Sequence, residues 1–356
     1  MRQRWPVPTD PRPIVLIGAG GIVNDAHLPA YRDLGFAVSG IHDLDVDRAR
    51  AAAARWAIPQ VFHDLADAAS ASGVVFDLAV PPGAIIDVLD ALPSGAAVLI
   101  QKPMGESLVD ATRILERCRA KRLVAAVNFQ LRFSPMMLAL RDLIDRGRLG
   151  PRLLDVDVHV NVHMPWDRWP FLEALDRMEI ALHTIHYVDT IRALLGEPRA
   201  AMARTVRHPD APRLASSRTT AILDYGDDIR CALSVNHHHD HGPRHECSTL
   251  RIEGDTGAAV VTMGVNLDYP RGRPDALEVV TGDGDWESIP LEGQWFPDAF
   301  RGPMCNLQRV VAGEDDTLWT SVEDAWHTMA VVEACYASDA AGGTPVPGAP
   351  SRGTPT

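Results

Sequence analysis

Ile14-Val15-Leu16-Ile17-Gly18-Ala19-Gly20-Gly21-Ile22-Val23 is the stretch on which the fold turns. Its first four residues form a short continuous apolar run, the mark of a strand covered on both faces. Gly18 then makes a tight turn, and Gly20 lets the backbone approach a pyrophosphate. Gly21 and Ile22 open a helix whose unpaired N–H groups and positive dipole end favour that anion. The third glycine position holds Val23, which predicts slightly atypical helix–strand packing. A glycine-rich loop carries weight only between a strand and a helix, and here both flanks are present.

Working outward, strand and helix alternate. Strands are expected at Ile14–Ile17, Phe36–Ile41, Gln60–Phe62, Val74–Val80, Ala97–Ile100 and Leu123–Phe129, with helical stretches between them. Such alternation implies right-handed crossovers and a doubly wound parallel sheet. The second half changes period. Leu154, Val156, Val158, Val160 and Val162 alternate along one face, and Gly226-Asp227-Asp228 separates two strand-like runs as a hairpin would. Further strands are expected at Ser248–Ile252, Ala258–Thr262, Leu277–Val280 and Trp286–Ile289. Two helices are expected, at Ile180–Leu195 and Ser321–Ser338. The fold class is α/β: an N-terminal Rossmann domain plus a C-terminal α+β domain with a large, mostly antiparallel open sheet. The expected divisions are a disordered tail at 1–12, the dinucleotide-binding domain at 13–129, the substrate and oligomerisation domain at 130–340, and a disordered tail at 341–356. The C-terminal helix is expected to pack back on the first domain.

Composition fits this reading. The chain has 356 residues, 46% hydrophobic and 23% charged, enough for two domains. A net charge of -13 without a basic stripe argues against nucleic acid and against an anionic membrane surface. The five cysteines are scattered and form no CxxC pair, so reduced thiols and a cytoplasmic setting are expected. No apolar run is long enough to span a membrane, and no signal-peptide core is present.

Several residues carry candidate chemistry. Asp43, 25 positions after Gly18, ends the second strand and is expected to accept the adenosine ribose hydroxyls, or else to cap the next helix. Leu44 and Asp45 follow it with no adjacent cation for a 2′-phosphate, so NAD is expected over NADP. Lys102 sits in Gln101-Lys102-Pro103 at the carboxyl end of a strand, where it faces the cofactor crevice. On the helix from Ala181, residues His183, His186 and Thr190 share a face beside the core stripe. The two imidazoles point into the cleft or are structural. No third ligand is evident beside them, so no metal is expected. Trp166, Arg168 and Trp169 lie on a loop suited to stacking on sugar C–H faces, to a buried aromatic role or to a subunit contact. The cluster His237-His238-His239-Asp240-His241 reads as a polar loop, a substrate contact or an adventitious metal binder.

From about residue 12 to 340 the chain resembles the glucose–fructose oxidoreductase, inositol dehydrogenase and rhizopine-catabolism family (Gfo/Idh/MocA). The motifs are GAGGIV, AHLPAY, VPP at 80–82, QKP at 101–103, NFQLRFSP at 128–135, IHYVDTIRALLGEP at 185–198 and EDAWHTMAVVEACYAS at 323–338. The resemblance implies an NAD(P)-dependent oxidoreductase acting on a secondary alcohol of a sugar, cyclitol or glycoside. It implies Lys102 and His186 as catalytic residues, Val80, Pro81, Gln101 and Gln130 as cofactor contacts, and Arg132 as a substrate contact. A homodimer or homotetramer is implied. Three positions depart from the family: Gln101 replaces a Glu, Leu182 replaces an Asp, and Ile85 stands near a usual His.

The expected chemistry is hydride transfer at nicotinamide C4, with Lys102 as base and His186 as its partner or as the alternative base. Gln101 removes an anion and should lower the lysine's pKa, while His183 takes over part of the role lost at Leu182. Two other readings stand beside it: an enzyme that uses NAD transiently to cleave a glycoside, and a non-catalytic dinucleotide sensor.

Overall fold

The computed structural model describes residues 1–269 and 271–347. The first half runs β1 (Ile14–Ile17), α1 (Leu28–Leu34), β2 (Val38–His42), α2 (Val46–Trp56), α3 (Leu65–Ala69), β3 (Val75–Leu78), α4 (Ile85–Ala91), β4 (Ala97–Ile100), α5 (Leu108–Ala120) and β5 (Val124–Val127). β1, β3 and β4 are buried at every position. That follows from helices covering both faces of a parallel sheet. Side-chain caps start the helices: Asp45 accepts from the N–H groups of Asp47 and Arg48, and Ser107 accepts from Asp110.

The strand order is β2-β1-β3-β4-β5, all parallel. The chain reverses its winding between β1 and β3, and a crevice opens there at the carboxyl ends of the strands. The sheet has five strands, not six. Gln60–Phe62 makes only a single parallel bridge, Val61 to Ile41. Phe62 lies directly over Gly40, whose missing side chain makes room for the ring.

The second half runs α6 (Pro135–Asp145), β6 (Leu153–Asn161), α7 (Ile185–Leu195), β7 (Ala200–Val206), β8 (Arg218–Asp224), β9 (Arg230–Asn236), β10 (Cys247–Gly254), β11 (Gly257–Thr262), β12 (Ala276–Thr281), β13 (Glu287–Ser288), α8 (Arg301–Val311) and α9 (Val322–Ala341). Its eight strands are ordered β13-β12-β11-β10-β6-β9-β8-β7, antiparallel except for the β6–β9 pair. Val156, Val158 and Val160 are fully buried on the inner face. Each contributes roughly 1.5–3 kcal/mol of burial. α7 is buried on every side from Ile185 to Arg192, because it lies between the sheet, α9 and the turn at Gln130–Phe133. Its polar residues therefore face protein rather than water.

α8 and α9 return to the first sheet. Met304, Cys305 and Leu307 of α8 join the core of β1, β3 and β4, and α9 packs on α5 and β5. Residues 1–12, expected as a disordered tail, are tied down. The Trp5 ring sits 4.4 Å from Trp319 and 5.2 Å from Phe133, and its Nε1 donates to Asp315 at 2.9 Å. The half-buried Trp5 ring, with hydrogen bonds from Thr9 N–H to Glu314 and from Arg12 N–H to Gln308, anchors this stretch. Of the tail expected at 341–356, Ala341 still belongs to α9, and residues 348–356 lie outside the described residues.

All five cysteines are free. Among the described residues, no helix is long and apolar enough to cross a membrane.

Candidate active site

Gly18 has φ +108°, and a Cβ there would stand 2.2 Å from the Ala79 carbonyl oxygen. Only glycine allows β1 and β3 to approach so closely at the crevice. A Cβ on Gly20 would meet nothing within 4 Å, so its backbone is open to a ligand. The helix beyond begins without a side-chain cap at Ile22, which leaves its first N–H groups for an anion. Val23 is fully buried, and the chain passes through one π-helical turn over Val23–His27 before α1. The uncapped helix start and the open glycine backbone fit a dinucleotide pyrophosphate.

Asp43 accepts hydrogen bonds from Ala19 N–H at 2.7 Å and Asp45 N–H at 2.8 Å. Asp45, not Asp43, caps α2, so the helix-cap alternative belongs to the neighbour. A cation lies closer than the sequence suggests: Arg48 on the first turn of α2 is 3.8 Å from Asp43 and 3.5 Å from Asp45. The two carboxylates outweigh it, and the site disfavours a 2′-phosphate. Asp43→Ala is expected to weaken NAD about 10-fold or more, the loss of a hydrogen bond to a charged group, while NADP gains relative to NAD through the released Arg48. Titration of both cofactors checks this, and an unchanged affinity ratio would contradict it.

Val80 and Pro81 follow β3, the first half-buried and the second exposed. Gln130 is buried on a 3-10 turn and its Oε1 has no partner. Gln101 Oε1 accepts from Asn128 Nδ2 at 2.9 Å. Asn128 also contacts His27 Nε2 at 3.3 Å, and His27 Nδ1 and the Tyr31 hydroxyl both reach Asp77 Oδ2 at 2.7 Å. This buried chain runs under the crevice and holds the Gln101 side chain from below.

Lys102 follows β4 and precedes a cis peptide bond to Pro103. Its Nζ donates to the Leu182 carbonyl oxygen at 2.8 Å. Among the described residues it has no carboxylate partner, and burial lowers its pKa to about 8. Leu182 lies in one turn of π-helix, Ile180–Thr184, that leads into α7. Such turns disturb the regular carbonyl ladder and recur at functional sites. The position lacking the family's Asp thus still holds the lysine, through its main chain.

His186 is buried, with its ring edge-on to Trp295 at 5.6 Å and Nδ1 unpartnered. Burial and the nearby Lys102 charge drive its pKa well below the usual value. It is therefore a neutral imidazole at neutral pH. His183 is also pushed down, by burial first and then by His237.

The structure brings His183 to Glu179, which sequence reasoning passed over, and to His237 of the histidine cluster. Glu179 is fully buried, and His237 Nδ1 lies 2.9 Å from its Oε2, while His183 Nδ1 is 3.5 Å from the same oxygen. These imidazoles hold the Glu179 carboxyl at about 2 against its burial. The Glu-x-x-x-His spacing, one helical turn, was the available signal. His237 belongs to the histidine cluster, which divides: His237 and His238 turn inward, while His239 is half-buried and His241 exposed. The absence of a third donor beside His183 was a limit of local reading, because His237 lies at the end of β9.

Other expected substrate residues are redistributed. Trp166 stands 5.9 Å from His183 and donates Nε1–H to His238 Nδ1 at 3.1 Å. Arg168 is exposed, and Trp169 packs on Tyr269 at 5.4 Å. Tyr269 in turn lines a cleft of about 560 Å³ with His163 and Asp240, whose walls include neither Lys102 nor His186. Arg132 requires correction. Its Nε and Nη2 each donate to Asp189 at 2.6 Å, Nη2 also meets Asp324 at 2.7 Å, and Nη1 donates to the Trp319 carbonyl at 3.1 Å. It is a buried strut between its own turn, α7 and α9, with four of its five N–H donors turned to protein and its side chain only 6% exposed.

A Rossmann crevice with a buried lysine at its edge, faced by a sheet domain carrying histidines, defines a dinucleotide-dependent oxidoreductase. Residues 12–129 match the model of the oxidoreductase family, NAD-binding Rossmann fold, and residues 137–260 match that of the GFO/IDH/MocA C-terminal domain. The inositol 2-dehydrogenase of Streptomyces avermitilis is 32% identical over 272 residues, covering 70% of this chain and 74% of that protein. The D-apiose dehydrogenase of Paraburkholderia graminis is 25% identical over 351 residues, covering 92% and 88%. A levoglucosan dehydrogenase solved with NADH and levoglucosan shares the fold, with a TM-score of 0.77, 17% identity, and coverage of 93% and 98%. The chain belongs to the GFO/IDH/MocA family of NAD-binding oxidoreductases.

Proposed function

We propose that the protein is an NAD-dependent dehydrogenase interconverting a secondary alcohol and a ketone on a sugar, cyclitol or glycoside, with Lys102 as the base. The observation that carries this reading is a buried lysine at the crevice, without a counter-charge and with a pKa of about 8. The dehydrogenase names of the relatives support the substrate class.

When bound, the nicotinamide ring supplies the hydride acceptor. Lys102 in its neutral form takes the proton from the substrate hydroxyl as the carbonyl forms. The Leu182 carbonyl holds Nζ by accepting one of its N–H bonds, which leaves the amine lone pair free to face the substrate. His186, neutral, donates to or accepts from the same hydroxyl and fixes its position. Trp166 packs the pocket side of the sugar ring.

The sign of the pH dependence follows. Oxidation needs neutral Lys102, so its rate rises with pH through about 8 and then levels. Reduction needs the protonated form and falls over the same interval. Gln101→Glu places a carboxylate beside the lysine, favours its charged form, and is expected to move the inflection upward by roughly a pH unit. A pH–rate profile that does not move would remove Gln101 from this account.

The overall test is NADH formation across a panel of sugars, cyclitols and glycosides. Turnover on one stereochemical class supports the reading. Tight NAD binding without net NADH on any compound would overturn it in favour of transient redox or sensing.

A further inference from the structure

We propose that Glu179, His183 and His237 form a binding site for one divalent transition-metal ion of the zinc class, with an open coordination position toward the substrate pocket.

The donor set and its geometry carry the inference. Each residue offers one ligand atom, and the three atoms lie within 4.8 Å of one another. Zinc–nitrogen and zinc–oxygen bonds of about 2.0–2.2 Å in tetrahedral geometry separate neighbouring donors by roughly 3.3–3.5 Å. The observed Glu179–His237 and Glu179–His183 separations are 2.9 and 3.5 Å. Small rotations of these side chains would admit an ion. Two imidazoles with one carboxylate select zinc-like ions over magnesium or calcium, which prefer oxygen donors throughout.

A simple proton-sharing pair explains only half of the cluster. One protonated imidazole, His237, would satisfy the Glu179 carboxylate. That leaves His183 Nδ1 buried with no hydrogen-bond partner. A cation would engage all three donors and would neutralise a carboxylate held fully out of water. Three protein ligands leave a fourth position free, as in catalytic rather than structural zinc sites. The open side is the side of His183, whose ring is 22% exposed while Glu179 and His237 are almost completely enclosed. Trp166 stands on that side, and His183 is near enough to Lys102 to feel its charge. The ligand taken there is a hydroxyl oxygen of a sugar or cyclitol. That last clause rests on the function proposed above, whereas metal binding does not.

A rival exists on the surface. Asp240 lies 2.7 Å from His163 and 3.1 Å from the buried His238, a second cluster that the test must separate from the first.

The experiment strips the full-length protein with a chelator and titrates it with Co2+, reading its visible absorption, and with Zn2+, counting bound metal after desalting. We expect one ion per chain, a tetrahedral Co2+ band, and an unchanged result in His163→Ala. Glu179→Gln and His183→Asn should each weaken binding at least about 100-fold, more than outer-sphere changes cost. NAD binding at the separate Rossmann crevice reports whether each variant is folded. The half-enclosed His183 remains a readable position if the buried Glu179 variant does not fold. Absence of binding in folded wild-type protein would overturn the proposal. So would binding that survives His183→Asn and is lost in His163→Ala, which would assign the ion to the surface cluster. Because none of these readouts uses turnover, failure of the dehydrogenase reading would leave the metal result standing, and the reverse also holds.

Discussion

Lys102→Ala is expected to lower kcat by roughly 10²–10⁴-fold, the range of a general acid–base residue, while NAD binding changes little. On the proposed reading the Gly18–Ile22 turn would hold the pyrophosphate and Asp43 the adenosine ribose, at positions separate from Lys102. The side chain instead spans the crevice to the Leu182 carbonyl at 2.8 Å, so its loss removes the base and the link between the two halves of the site. The residual rate should also lose its inflection near pH 8, because burial of this amine is what sets it. Lys102→Arg separates the two roles. Arginine keeps a donor for Leu182 but does not deprotonate in this range, so positioning would be retained and the base lost. Rates that survive in either variant with the inflection intact would transfer the base to another group, with His186 the nearest candidate. Steady-state kinetics in both directions, beside NAD titration of each variant, decides the matter.

What could be read from the chain alone follows how local each feature is. The Gly18 turn, Asp43 and Lys102 all lie at ends of short apolar strands, where neighbouring residues dictate the environment. Their places in the crevice were accordingly legible. β7 was not, because Ala200-Ala201-Met202-Ala203 carries little strand preference and the segment pairs only with β8 at the sheet edge. α8 was hidden by Gly302 and Pro303, although proline is tolerated in a first turn. Gly302 is required there because a Cβ would stand 2.3 Å from the Phe133 Cβ and 2.5 Å from its ring. The pairings of Glu179 with His237 and of Arg132 with Asp189 were illegible for a different reason. Glu179 meets a histidine 58 residues on, and Arg132 meets an aspartate 57 residues on. Local pattern does not specify such pairings. The helix bearing both His186 and Asp189 was recognised, but as amphipathic. Only the packing of α9 and the Gln130–Phe133 turn shows that its polar face is also enclosed.

Arg132 supplies the second large effect, and it separates a structural from a substrate-binding role. Its guanidinium is buried and is shared by Asp189 of α7 and Asp324 of α9. Thr328 of α9 also donates to Asp189, at 2.8 Å. Burial pushes the Asp189 carboxyl up from its ordinary value, and the attraction of Arg132 opposes that only in part. The pair as a whole is thus no strong source of stability, since desolvation of both ions offsets much of their attraction. Removing one member is another matter. Arg132→Ala leaves Asp189 uncompensated in a dry joint and is expected to cost about 3–5 kcal/mol in unfolding free energy. Asp189→Ala should cost a similar amount by stranding the guanidinium. Because each single change already destroys the same contact, the double variant should lose much less than the sum. Denaturant unfolding of the four proteins measures the coupling. A direct substrate contact would give the opposite pattern: near-native stability for Arg132→Ala, a raised KM, and no coupling to Asp189. The joint ties the turn after β5 to α7, the helix that carries His186. Loosening it should therefore lower kcat through misplacement of that imidazole, with a smaller effect in Arg132→Lys, which keeps the charge but loses the two-pronged contact.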